Sequence, residues 1–186
     1  DVLVAKHIIP GRRAFREPPQ TPLCKIRAKA ILLTALLAIA GAACGSDDDL
    51  AERQEAVAEA GAEVMPFPLD ETTHIFTDTQ VGGRQDVVAD DPTDEATIEA
   101  IRDHMAEEAA KFQVGDFSDP EAIHGSAMPG LAALKAGFDQ IDVQLLETAT
   151  GASITYASQN PEMVSAIHLW FEAQTSDHGS HAEHNP

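Results

Sequence analysis

The sequence predicts an α+β domain built from two ββα units, with a four-stranded antiparallel sheet and two helices packed on one of its faces. Three observations carry this. TTHIFTDTQVGGRQDVVAD (72–90) places strand-forming residues on both sides of Gly82-Gly83, a hairpin pattern. IDVQLLETATGASITYAS (141–158) does the same around Thr150-Gly151. Each hairpin is followed by apolar residues at helical spacing, and the two stripes match at a constant offset of 66: Ile98 with Val164, Ile101 with Ile167, Met105 with Phe171. Two such units close one core when both helices cover the same face of a shared sheet.

The elements follow in chain order. Residues 1–24 read as a doubtful N-terminal extension, since no Met precedes Met65. Residues 25–44, KIRAKAILLTALLAIAGAAC, have the basic start, short apolar run and small residues of an export signal. That run is too short for a permanent membrane span. It ends on Cys44 and resembles a bacterial lipoprotein signal, in which that cysteine carries the lipid. The departure is Gly41, where the pattern prefers Leu. Ala40-Gly41-Ala42 also fits a simple secretory cut, which makes a soluble periplasmic or secreted protein the alternative. Residues 45–64 are acidic and Ala-rich with little to bury, and read as a tether.

The domain is expected over residues 65–178. Asp91 is the expected N-cap of its first helix, with Pro92 in the first helical position and Gly115 as the stop. Asn160-Pro161 opens the second helix with the same chemistry. Between the units, GDFSDPEAIHGSAMPGL (115–131) is expected to be a compact connector. Ser118 and Glu121 suggest a capping box for a short helix through Ile123, Gly125 stops it, and a further short helix runs over 131–136. Residues 179–186, GSHAEHNP, are expected as a mobile His-containing tail.

Charge narrows the function. The 186 residues hold 12 Lys and Arg against 31 Asp and Glu, a formal net charge of −19. Seven of the bases and only two of the acids lie in residues 1–44, which leaves −24 on the rest. Such a body repels nucleic-acid phosphate and excludes nucleic acid as a partner, while a cation or a basic envelope protein is permitted. The two cysteines, Cys24 and Cys44, both precede the domain, so it has neither an internal disulfide nor a cysteine zinc site.

The combination of TTHIFTDTQVGGRQ, IRDHM, GDFSDPEAIHGSAMPGL and AIHLWFEAQTSDHG, over roughly residues 65–179, resembles a family of small exported bacterial proteins of unestablished function. The resemblance implies export and supplies no activity.

Histidine is the residue type most able to carry function here, because neutral imidazole is a common transition-metal ligand. His104 and Glu108 are four apart and share one side of the first helix. His124 and Met128 make a softer nitrogen–sulfur pair in the connector. His168 lies beside the second stripe, near Trp170. Asp177-His178 ends the second helix, where a carboxylate can orient an imidazole from outside a coordination shell. The candidate metal ligands are therefore His104, Glu108, His124, Met128, His168 and His178, with copper or zinc as the expected ion. His74 reads as a surface residue of an edge-like strand. The bland alternatives are core packing for His104 and His168 and a hydrophobic plug for Met128. No nucleophile elbow, phosphate loop or H-E-x-x-H pattern is present, so no catalytic residue is assigned. The leading expectation is a lipid-anchored envelope protein that binds a metal or small ligand through histidines. The alternatives are an acidic interaction domain with structural histidines, or a His-dependent enzyme using His104, His124 or His168.

Overall fold

The computed structural model describes residues 46–186; residues 1–24, the leader and its Cys44 lie outside the described residues. Strands β1 (Thr72–Thr79) and β2 (Gly82–Ala89) form the first hairpin, and β3 (Asp142–Thr148) and β4 (Gly151–Ala157) the second. The chain is α+β as expected, but the sheet is mixed and has five strands, in the order β3-β4-β2-β1-β5. The two hairpins join antiparallel along β2 and β4, and β5 (Ala182–Asn185) pairs parallel to β1. The segment expected to be a mobile tail thus supplies the fifth strand. The free outer edge of β1 has backbone groups that need partners, and residues 182–185 provide them without needing apolar side chains.

The turns of both hairpins fall just before the glycines rather than on them. Gly82 and Gly83 begin β2, and Gly151 begins β4. Packing explains one of these: a Cβ on Gly83 would stand 2.3 Å from Cε2 of Phe171, so only glycine lets the second unit's helix lie this close to the first unit's strand.

Helices α2 (Glu95–Phe112) and α5 (Pro161–His178) are each 18 residues long. The stripe Ile98, Ile101, Met105, Ala109, Phe112 is buried throughout, as its spacing requires. The first cap differs from expectation. Asp94, not Asp91, accepts from the Thr97 amide at 3.1 Å, while Asp91 closes the preceding turn through the Thr93 amide and hydroxyl. Asn160 caps α5 as expected, with Pro161 in its first turn. Both helices pack into one core with the inward residues Phe76, Val87, Ile154 and Tyr156 of the sheet. Trp170 is its aromatic centre, edge-on to Phe112, Phe117 and Tyr156 at centroid distances of 5.9, 6.0 and 5.5 Å.

The connector contains α3 (Ser118–His124) and α4 (Leu131–Ala136), with Gly125 closing α3 at φ 81°. The capping box is not formed; instead the Asp116 carboxylate accepts from the Ser118 amide at 2.9 Å. Gly130 (φ 78°) turns the chain into α4 where any Cβ would meet the Ala166 carbonyl oxygen at 2.2 Å.

Beyond the two helices on the sheet there is a further packed helix. The acidic 46–64 stretch is α1 (Ser46–Val64), which docks against α3 and α5. Val57 is buried there, contributing about 2 kcal/mol. Among the described residues no helix is long and apolar enough to cross a membrane.

Candidate functional site

α3 is held from two sides by cations. On one side Lys111 of α2 bridges Glu108 Oε1 at 2.9 Å and Asp119 Oδ2 at 2.5 Å. On the other, Arg53 of α1 donates from Nη2 to the His124 carbonyl at 2.7 Å, satisfying an orphan acceptor at the end of α3. The same guanidinium grips Asp177 of α5 with two bonds, Nε to Oδ1 at 2.9 Å and Nη2 to Oδ2 at 2.6 Å. Asp177 Oδ2 also meets His124 Nδ1 at 2.8 Å.

These contacts fix the chemistry of His124. Burial alone would push the Asp177 carboxyl up, but the hydrogen bonds from His124 and Arg53 outweigh it and hold Asp177 at about 2. An ionised carboxylate only accepts, so Nδ1 of His124 carries the proton and donates. In the neutral ring Nε2 is then left as an acceptor. The His124 side chain is 1% exposed.

A small cavity lies beside it, between α2, α3, α5 and the sheet. Its polar lining includes His74, Gln85, His104, Glu108, His124 and Gln174, and Phe67, Phe112, Ile123 and Trp170 supply much of the apolar wall. The volume open to the centre of a water molecule is about 30 Å³, room for about two waters.

Of the titratable groups around this cavity, Asp119 is held ionised against burial by Lys111, while His74, His104, His178 and Glu108 are pushed toward their neutral forms. Burial drives His74 down to about 4, helped by repulsion from neighbouring imidazoles. Burial also lowers His104, and His178 strongly. Burial raises Glu108 to about 7 against the pull of Lys111. His178 completes the group: its ring stacks on His74 at 4.9 Å and stands edge-on to His124 at 5.0 Å. His104 packs edge-on to Phe67 at 5.7 Å.

Of the residues singled out in the sequence, His104, Glu108 and His124 thus share one cavity, and His178 touches the ring of His124. Met128 and His168 do not join them. Met128 is part of the hydrophobic core, because Pro129-Gly130 folds it inward ahead of α4. His168 turns Nε2 to the carbonyls of Thr79 and Gly82 at 3.1 and 2.8 Å and holds the first hairpin's turn. Among the described residues no set of three or more His, Cys, Asp and Glu side chains is arranged to hold a metal ion.

Several residues of the site escaped the sequence reading. His74 is 2% exposed rather than a surface residue. The signal was its alternation with Thr72 and Phe76, which share its face of β1. Asp177 orients an imidazole as expected of that position, but the ring is that of His124 in the connector, not its neighbour. Arg53, Gln174 and Trp170 gave no local signal of a role here. No protein-family model, curated protein or solved structure matches this chain.

Proposed function

We propose that this chain is an exported, lipid-anchored cell-envelope protein that binds a small ligand in the cavity lined by His74, His104, Glu108 and His124. The observation that carries the reading is the state of His124. An imidazole whose Nδ1–H is fixed by an ionised carboxylate presents Nε2 as a directed acceptor, and this ring lines a cavity. An acidic docking domain calls for imidazoles that only brace the framework, as His168 does at the first hairpin's turn, rather than several that line one cavity. A His-dependent enzyme is the alternative from another class, with His104 or His124 as the acid–base group on this lining. Export and the anchor at Cys44 rest on the leader and on the resemblance of the domain's motifs to exported proteins.

One observation favours copper or zinc as the ligand. Neutral imidazole is the ligating form, and a carboxylate behind a histidine is a usual outer partner of a bound metal. The rings would have to turn to converge on an ion, so an organic ligand is the better reading of the site as it stands.

The test is native mass spectrometry of the purified protein together with calorimetric titration by Cu(II) and Zn(II). The comparison variants are His124→Ala and the double substitution His181→Ala/His184→Ala. The expected result is a small-molecule adduct that is lost in His124→Ala and kept in the double variant. One metal ion per chain with the same pattern would establish the metal reading instead. Neither an adduct nor an ion would end both.

A further inference from the structure

Buried polar groups normally find partners, so the unpaired ones around the cavity describe what is missing from it. Trp170 is 1% exposed and its indole Nε1 has no hydrogen-bond partner. Gln174, one helical turn further along α5, is 5% exposed and its amide Nε2 has none either. Both residues line the cavity, and both atoms are donors. A third group on the same lining, His124 Nε2, is an acceptor in the neutral ring for the reason already given. Glu108 contributes a carboxyl of which Oε1 is engaged by Lys111. The rest of the wall is aromatic and aliphatic apart from His74, Gln85, His104 and Asp119, whose carboxylate is engaged by Lys111.

From this inventory we infer that the cavity takes a small uncharged molecule carrying a carbonyl oxygen beside an N–H group, the chemistry of a primary amide. The inference rests on the ligand-binding reading above. The carbonyl oxygen accepts from the Trp170 indole and the Gln174 amide, and the ligand N–H donates to His124 Nε2. A carboxylate of the same size satisfies the two donors but sets a lone pair against His124 Nε2 and brings a charge beside Glu108. An ammonium ion leaves both donors unsatisfied. Size agrees with the class, since space for about two waters accommodates about three or four heavy atoms. Two ordered waters are the competing occupant, and they would satisfy the same groups without selectivity.

The protein supplies its own reporter, because Trp170 is the only tryptophan in the chain. Its indole N–H gives one resonance in a ¹H–¹⁵N spectrum, which can be followed during titration with acetamide, acetate and methylammonium. The expected result is a saturable downfield shift of the Trp170 indole proton with acetamide and none with the two ions. Acetamide affinity should fall about tenfold in Gln174→Leu, as expected for loss of one hydrogen bond, and in His124→Phe. An indole shift with acetate equal to that with acetamide, or no saturable response to acetamide, overturns the amide assignment. The broader reading fails separately. If acetamide is silent but an adduct or metal ion is lost in His124→Ala, the pocket stands and only its ligand class is wrong. If every probe is silent, two waters fill the cavity and both readings fall.

Discussion

Two groups of histidines in this molecule differ in what surrounds them. Beside the pocket, His178 touches His74 and His124 ring to ring, at 4.9 and 5.0 Å, and those two share the cavity wall with His104. At the β5 edge of the sheet, His184 Nε2 and His168 Nδ1 instead face the Asp78 carboxylate at 3.2 and 3.7 Å. Asp78 has no Arg or Lys partner among the described residues. The pocket also contains a carboxylate, Asp177, but Arg53 already balances it. Burial and repulsion between neighbouring rings hold His74 and His178 in the neutral form beside it. The same residue type faces an unbalanced carboxylate at the edge and is packed ring against ring beside the pocket. The presence of a spare counter-charge separates the two cases.

The largest expected effect breaks the pocket side of this contrast. Asp177→Ala leaves Arg53 and His124 without their shared partner, and urea unfolding should show a loss of about 3 kcal/mol. A loss below about 1 kcal/mol would mean that the trio does not hold α1, α3 and α5 together.

The next effect is pH-dependent. His74 binds its proton at about 4 in the fold and near its ordinary 6.5 when unfolded. The unfolded chain therefore holds more protons between these values, and stability rises with pH across the window by about 3 kcal/mol. The lowered His104 and His178 act in the same direction. Glu108, raised from 4.5 to about 7, acts in the opposite one: its contribution is complete below pH 4.5 and is lost as pH rises through about 7. Chemical unfolding of His74→Phe across pH 4 to 7 should show a flatter rise than the parent. Glu108→Gln should lose the opposing decline, so that the variant gains on the parent as pH rises. Parallel profiles for all three proteins would remove the claim that the pocket disfavours charge.

A smaller effect sharpens the comparison. Gln174→Leu replaces a buried amide that lacks a partner, and the free protein should gain about 1 kcal/mol. Destabilisation by a similar amount would show that the amide is satisfied within the empty pocket. The smallest effect lies at the sheet edge. Asp78→Asn there should change stability at pH 8 by no more than about 0.5 kcal/mol, measured by the same unfolding curves.

Much of the fold was legible because its signals are local. Asn160-Pro161 starts a helix wherever it precedes an apolar stripe, and the equal lengths of α2 and α5 reflect the offset between their stripes. The connector's two short helices were legible too, although the capping box expected to start the first is replaced by the Asp116 carboxylate on the Ser118 amide. Asp91 and Asp94 are both competent caps, and sequence could not rank them because the choice depends on which turn Asp91 closes. β5 was illegible for another reason: it is held mainly by its backbone pairing with β1, and its one apolar residue, Ala182, is too small to make a periodic signal. That omission also misplaced His74, which looked like an edge residue only while β1 lacked its outer neighbour.

The site was legible where spacing on one element sufficed. His104 and Glu108 share a helical face, and His124 stood out within an ordered connector. Met128 and His168 lie apart from the cavity, since softness and proximity to an apolar stripe describe framework residues equally well. Arg53 was invisible, since nothing near it in the chain indicates an acid 124 residues away.

That separation has a consequence for the order of assembly. Arg53 and Asp177 close a very long loop, and Gln54 reaches the Ser176 carbonyl across a similar span. Such contacts form only after most of the intervening chain has condensed, because the entropy of closure falls as the loop is shortened by prior structure. A polypeptide emerging N-terminus first can make α1, the first hairpin and α2 early, yet His124 has no carboxylate to hold it until residue 177 arrives. Any product cut short before α5 is complete has most of the pocket's histidines and none of its orientation.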